Sequence, residues 1–261
     1  MKAMLVTGGG SGIGRAVAQL FSARGWRVGL ADIDARALTE TAALLPADRT
    51  STHVMDVRGA SEWEEVLAEF ARISDGRLDL LFNNAGIAAG GAFADIGLEA
   101  IDRVIDVNFR GMAYGARMAF PYLKATPGSC LLNTASASAI YGSSGLAIYS
   151  ATKFAVRGLT EALDGEWAQH GVRVRSLMPS FIDTNLLSVA VAGTNRTARD
   201  TVVAAGMEFT PVEVVAQKAW EAVHGDRLHT PVGRTARRMA FAARWLPGRM
   251  RTMMRAAGRR G

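Results

Sequence analysis

Tyr149 and Lys153 stand four residues apart in a segment with helical apolar spacing, so both side chains reach one face of a helix. A free tyrosine, with a pKa near about 10, is a poor base at neutral pH, and an ammonium beside it stabilises the phenolate. Taken alone, such a pair is an ordinary feature of a helix. Ser136 shifts the balance, because it lies 13 residues upstream, after an apolar run that reads as a buried strand. A hydroxyl, a phenol and an ammonium brought to one place form a general acid–base set for an oxygen on carbon.

A second stretch points to phosphate. Thr7-Gly8-Gly9-Gly10-Ser11-Gly12-Ile13-Gly14 follows the first apolar run and opens the first helical pattern. A glycine-rich turn at that place lets backbone N–H groups approach a pyrophosphate, and the helix N-terminus adds positive potential. The spacing is Gly8-xxx-Gly12-x-Gly14, with no GxGxxG match in the turn. Asp32 ends the second apolar run, 20 residues after Gly12. A carboxylate there accepts both ribose hydroxyls of an adenosine and repels a 2′-phosphate, whereas a helix-capping role could equally fall to Asp34. Ser11 in the loop and Ile33 after Asp32 offer a 2′-phosphate no cation, and Arg15 lies on the helix. The expected cofactor is NAD, with NADP as the alternative.

These residues need a scaffold. Apolar runs at Ala3–Val6, Arg27–Ala31, His53–Val57, Leu78–Phe82, Ser129–Leu132, Val172–Met178 and Leu228–Val232 alternate with helical patterns near 13–24, 34–45, 61–73, 98–124, 148–170 and 212–224. That alternation predicts βαβ units: a single doubly wound α/β domain of Rossmann type, with about seven parallel strands and helices on both faces. The domain is expected over 1–233, with an Arg-rich tail over 234–261. The stretch 185–207 shows no strong strand pattern and reads as a flap.

With 261 residues, 49% of them hydrophobic and 21% charged, the chain has material for a large core, which excludes disordered and collagen-like classes. A single cysteine, Cys130, excludes a disulfide scaffold and suits a reducing compartment. No apolar run approaches a membrane span and no signal-peptide pattern precedes the first strand, so a cytoplasmic protein is expected. The net charge of +6 is uneven. Residues 234–261 hold nine arginines and no acid, leaving 21 basic against 24 acidic residues, a net −3, in 1–233. Nucleic-acid binding by the body loses its support. His53, His170, His224 and His229 show no ligand spacing, so no metal is expected.

Several of these motifs, in this order, resemble the short-chain dehydrogenase/reductase family over about residues 1–233. The glycine turn is similar to its cofactor loop, Asn83-Asn84-Ala85-Gly86 to its mid-sheet motif, and Val107-Asn108-Phe109-Arg110-Gly111 to the helix bearing its active-site asparagine. Asn133-Thr134-Ala135-Ser136 and Tyr149-Ser150-Ala151-Thr152-Lys153 are similar to its serine and YxxxK elements. The resemblance implies hydride transfer between NAD and an alcohol or carbonyl carbon. Ser136 would hydrogen-bond the substrate oxygen and Tyr149 transfer the proton. Lys153 would also hold the nicotinamide ribose, and Asn108 would anchor a water-linked proton relay. Gly8, Ser11, Gly12, Ile13, Gly14, Asp32 and Ile33 would bind the cofactor, with Asp56 and Val57 at the adenine. Asn83 through Gly86 (Asn83, Asn84, Ala85 and Gly86) would line the adenosine side, with a partly structural role, and Ile182 and Thr184 would contact the carboxamide. Ser180 stands where the family has glycine, which leaves the local backbone path open. The glycine spacing of extended epimerase-type members and the wider Tyr–Lys interval of some enoyl reductases are absent. A catalytically weak NAD-binding regulator is the rival, though it would not need Ser136, Tyr149 and Lys153 together.

Substrate-facing candidates are 87–93, 137–146 and the flap from Phe181 to Val191. Leu186, Leu187, Val189 and Val191 favour an apolar substrate, and no arginine or lysine between Phe181 and Asn195 offers a carboxylate anchor. A hydrophobic secondary alcohol or its ketone is expected. The resemblance implies a homodimer or homotetramer joined through the helices near 98–124 and 148–170. In the tail, Met250, Met253, Met254 and Ala257 share one helical face and Arg251, Arg255 and Arg259 another, with Phe241 and Trp245 upstream and Pro247-Gly248 between. Such a helix either packs on a neighbouring subunit or lies on an anionic membrane surface.

Overall fold

Ala3–Thr7 is buried at every position, as befits a strand with neighbours on both sides and helices on both faces. It is β1 of a computed structural model that describes residues 1–188, 191–192, 194, 196–204 and 206–258. Of the residues singled out above, Val189, Asn195 and Arg259 lie outside the described set, as does the side chain of Ala257. After β1 the chain runs through α1 (Gly12–Ala23), β2 (Arg27–Asp32), α2 (Ala35–Ala42), β3 (Thr50–Val54), α3 (Ala60–Ile73), β4 (Leu80–Asn83) and β5 (Gly90–Gly91). It continues with α4 (Leu98–Ile105), α5 (Gly111–Ala125), β6 (Cys130–Thr134), α6 (Ala147–Trp167), β7 (Arg173–Pro179) and β8 (Val191–Ala192). Then come α7 (Ala198–Ala204), α8 (Val212–His224), β9 (His229–Val232), α9 (Arg234–Trp245) and α10 (Pro247–Gly258).

Seven strands form one parallel sheet in the order β3-β2-β1-β4-β6-β7-β9. Strand alternation divides the core in two. Met4, Val6, Val28 and Leu30 face α1 and α8, while Ala3, Leu5, Leu81 and Leu131 face Trp63, Leu67 and Phe70 of α3, with Leu123 of α5 and Trp167 of α6. Phe21, Trp26 and Trp220 pack ring to ring at 5.0–6.1 Å and pin α1 to α8. This is the doubly wound sheet expected from the alternating pattern. Its strand order reverses between β1 and β4, which opens a crevice at the C-terminal strand ends.

Three local expectations are corrected. The third strand is Thr50–Val54, not His53–Val57, in the register Val28↔Thr50 to Asp32↔Val54. As the sheet edge it tolerates Thr-Ser-Thr, and the apolar Met55 and Val57 are buried in the following turn, where Trp63 Nε1 donates to the Val57 carbonyl. The helix expected over 98–124 is interrupted by a π-helical turn at Asp106–Arg110, of the kind that apolar periodicity does not register. In the flap, Val191–Ala192 does form a strand, pairing with Gly90–Gly91, and two residues are too few to show alternation. Other boundaries move by three residues or fewer.

The tail folds as two helices. Met250 is buried and Met254 half-buried, but Met253 is exposed, so the expected methionine face is split. Only residues one turn apart meet the body, because α10 touches it along a narrow edge.

Candidate active site

The glycine turn leaves β1 and bends into α1 through Gly12 at φ +51°. A Cβ built on Gly14 would lie 2.0 Å from the Gly8 carbonyl oxygen, so only glycine lets the chain close this tightly. Ser11 stands at the N-cap without a side-chain cap bond, which leaves the helix start open to an outside acceptor. Thr184, at the base of the flap, leans over the turn: its Cγ2 would be 3.1 Å from a Cβ on Gly12. The cleft here, about 460 Å³, is bordered by Ser11, Gly12, Arg15, Asp34, Arg36 and Thr184.

Asp34 accepts from the amides of Arg36 and Ala37 and caps α2. Asp32 is therefore free of that duty. Its carboxylate accepts from the Gly10 amide at 2.9 Å and the Asp34 amide at 3.1 Å, which holds it at the turn's edge with lone pairs to spare. Ile33 beside it is exposed. Arg15 does more than sit on its helix: it donates to Gly10 O and Thr41 Oγ1 and pairs with Glu40, bracing the turn against α2. Arg36 also pairs with Glu40.

Thr7 Oγ1 accepts from the amides of Asn84 and Ala85, Asn84 Nδ2 donates to Thr7 O, and Thr134 Oγ1 donates to Asn84 Oδ1. The ends of β1, β4 and β6 are thereby sewn together. Asn84 belongs to the stretch expected at the adenosine side; Thr7 and Thr134 did not stand among the expected site residues, although a hydroxyl ending an apolar buried strand was a legible signal. Asn83 is buried and its side chain is turned inward, donating to Met112 O at 2.8 Å. The Asp56 carboxylate is held by Arg58, which lowers its pKa, and its amide donates to Glu62. Val57 is buried.

The catalytic candidates meet on the other side of β4. Asn108 sits in the π-helical turn, fully buried, with Oδ1 accepting from Ile87 N at 2.8 Å and Nδ2 donating to Ile87 O at 2.8 Å. A Cβ on Gly86 would lie 3.2 Å from Asn108 Oδ1 and 3.5 Å from Lys153 Nζ, so Gly86, Asn108 and Lys153 adjoin one another. Tyr149 and Lys153 are buried on one face of α6. Ser136 follows β6, and its Oγ accepts from the Ser138 amide at 3.1 Å.

Burial raises the Tyr149 phenol above its ordinary value, and a hydrogen bond with Ser136 draws it only part of the way back. Burial pulls the Lys153 ammonium down to about 8. Both shifts favour neutral forms, the reverse of the stabilised phenolate expected from spacing. Desolvation outweighs the pairing: Lys153 Nζ donates to Thr134 O at 2.9 Å and lies 5.6 Å from the centre of the tyrosine ring, with no hydrogen bond to the phenol.

The three substrate-facing segments converge. A Cβ on Gly90 would lie 3.6 Å from Leu146 and 3.9 Å from Val191, and the Gly91 amide donates to Gly145 O at 2.9 Å. Ile182 is buried, bridging to Thr210. The Ser180 amide donates to Val232 O at 3.1 Å and its hydroxyl lies 3.5 Å from Thr210 Oγ1, so a side chain is accommodated where the resemblance implied glycine.

The family model described as short chain dehydrogenase matches residues 2–194. Meso-2,3-butanediol dehydrogenase of Serratia marcescens is 34% identical over 244 residues, 90% of this chain and 95% of that protein. A short chain dehydrogenase/reductase from Burkholderia phymatum, solved in complex with NAD, superposes with a TM-score of 0.84 at 27% identity, covering 97% of this chain and 95% of that one. A short chain dehydrogenase from Burkholderia cenocepacia, solved with NADP, reaches 0.82 at 22% identity over 97% and 99%, a likeness of fold alone.

Proposed function

Because the chain belongs to the short-chain dehydrogenase family and is an oxidoreductase, we propose that it interconverts a hydrophobic secondary alcohol and its ketone with NAD. The observation that carries this reading is the meeting of Ser136, Tyr149 and Lys153 across β4 from a turn too tight at Gly14 for any residue but glycine. The turn fits a dinucleotide: Gly8, Ser11, Gly12, Ile13 and Gly14 would cradle the pyrophosphate, and the open start of α1 would meet its charge. Asp32 would accept the ribose hydroxyls. Asp34, Glu40 and Asp183 outnumber Arg15 and Arg36 along the cleft, and Asp32 stands at the edge of the turn, which supports NAD over NADP. Ile33, Asp56, Val57, Asn83, Ala85 and Gly86 would border the adenosine, and Ile182 and Thr184 the nicotinamide.

When bound, the cofactor supplies or accepts the hydride. Tyr149 gives its phenolic proton to the carbonyl oxygen in reduction and takes the hydroxyl proton in oxidation. Ser136 donates a hydrogen bond to the same oxygen. Lys153, held near a pKa of about 8, exchanges protons readily in the working range and would also hold the nicotinamide ribose. Asn108 anchors the proton path to solvent. A relative named for meso-2,3-butanediol supports a secondary alcohol. Leu146 and Val191 beside Gly90 favour apolar substituents. Leu98, Ile105 and Phe154, exposed on α4 and α6, support a homodimer or homotetramer joined through these helices.

The test is titration of NADH and NADPH into wild type and Asp32→Ala, followed by a panel of hydrophobic alcohols and ketones with Tyr149→Phe as control. NADH is expected to bind in preference to NADPH, with the preference shrinking in Asp32→Ala and turnover vanishing in Tyr149→Phe. Tight NADH binding without turnover across the panel would favour the regulator. Turnover of small charged hydroxy acids alone would sink the apolar substrate.

A further inference from the structure

The two tail helices have unlike sides. Inward, Ala236, Met239 and Met250 are buried against Ala137, with Ile140 and Tyr141 beside them, so the hairpin lies against the loop that follows Ser136. Outward, Phe241 and Trp245 are 61% and 63% exposed, Met253 is 52% exposed, and Leu246 is exposed at the corner between the helices. Two aromatic rings and two aliphatic side chains held in water within 13 residues mark a contact surface.

The charge around this patch says what it contacts. Arg237, Arg238, Arg244, Arg249, Arg251 and Arg255 are all exposed, and among the described residues none of them forms an ion pair. Among the described residues of the tail, Arg234 alone pairs, with Glu208 at 3.7 Å. Arg237, Arg238, Phe241, Arg244 and Trp245 recur at three- and four-residue spacing, so cations flank the rings on one face of α9. A two-fold contact centred on this patch would set these arginines against themselves. A nucleic-acid duplex, with its bases stacked inside, would neutralise the arginines and leave the rings unclaimed. An anionic lipid surface satisfies both, taking the side chains at the headgroup boundary and the guanidinium groups at its phosphates.

We propose that the α9–α10 hairpin docks this protein on an anionic lipid surface through Phe241, Trp245, Leu246 and Met253 and the arginines around them. The proposal does not depend on which substrate the site takes or on any turnover.

Full-length protein is sedimented with vesicles of phosphatidylcholine alone or mixed with phosphatidylglycerol. Binding is expected to the mixed vesicles, weakening with salt. The double variant Phe241→Ser/Trp245→Ser should bind at least about tenfold more weakly. Arg244→Gln and Arg251→Gln should each weaken binding roughly fivefold. All these side chains are exposed, so thermal melting and cofactor titration should match wild type. Absence of binding to mixed vesicles overturns the proposal, and so does undiminished binding by the double variant. Loss of oligomer mass in the double variant, with vesicles ignored by wild type, would assign the face to a second copy. Duplex DNA bound equally by wild type and double variant, and displacing vesicles, would assign it to nucleic acid.

Discussion

The nucleotide side of the crevice and the substrate side are built from different materials. Around β1 and β2 the surface is backbone: a glycine turn, an open helix start, and an aspartate fastened by two amides. Its supports are hydrogen bonds of fixed length, from Thr7 to the amides after β4 and from Arg15 to Gly10 and Thr41. The substrate side rests on a two-residue ladder between β5 and β8, on Leu146, and on a loop backed by methionines of the tail. Phosphates and ribose hydroxyls need donors and acceptors at set positions, which backbone provides rigidly. An apolar substrate needs buried area, which interchangeable side chains can supply.

The contrast can be tested from its strongest effect downward. Tyr149→Phe should lower kcat by about 10³-fold with cofactor affinity unchanged, since it removes one proton and little volume; a comparable loss of NADH binding in titration would merge the two sides. Gly14→Ala should destabilise the fold by about 2–3 kcal/mol, measured by denaturant unfolding, and abolish cofactor binding, because the new methyl meets the Gly8 carbonyl. Leu146→Ala and Val191→Ala should each raise KM for an apolar ketone by about threefold to tenfold and leave kcat nearly unchanged. A kcat collapse in either would show that the substrate side is as exacting as the nucleotide side.

The smallest effect is a pH slope. Folding lowers Lys153 from 10.5 to about 8, so between those values the unfolded chain holds a proton that the folded chain has released. Lys153 therefore adds stability as pH rises across that window, opposed above pH 9 by buried Cys130, whose thiol is pushed up to about 12, and Lys153→Met should flatten the rise between pH 8 and 9 in thermal melts. Because burial also raises Tyr149, oxidation, which needs the phenolate, should quicken on the alkaline side while reduction slows.

Much of the sheet was legible because buried parallel strands are continuous apolar runs and their helices repeat with their own period. The edge strand β3 escaped for the same reason: half exposed, it carries Thr-Ser-Thr, and the apolar residues that mimic a strand pack in the turn beyond it. The π-helical turn around Asn108 leaves apolar spacing nearly unbroken and could not be read from it. Lys153 was legible as Tyr149's neighbour along a helix. Its hydrogen-bond partner, the Thr134 carbonyl, lies 19 residues away and depended on how β6 meets α6.

Sequence alone determined the glycine turn, the Tyr149–Lys153 spacing, the placement of Asp32 at a strand end and the segregation of nine arginines in the tail. Each depends on backbone sterics, a short period or composition, all of which act locally along the chain. Tertiary structure decided that Asp34 rather than Asp32 caps α2, that Thr7, Asn84 and Thr134 sew three strand ends together, and that the tail turns Met239 and Met250 inward and its aromatic rings outward. Those outcomes depend on contacts between segments far apart in sequence, where packing geometry, with no repeating pattern to announce it, selects the partner.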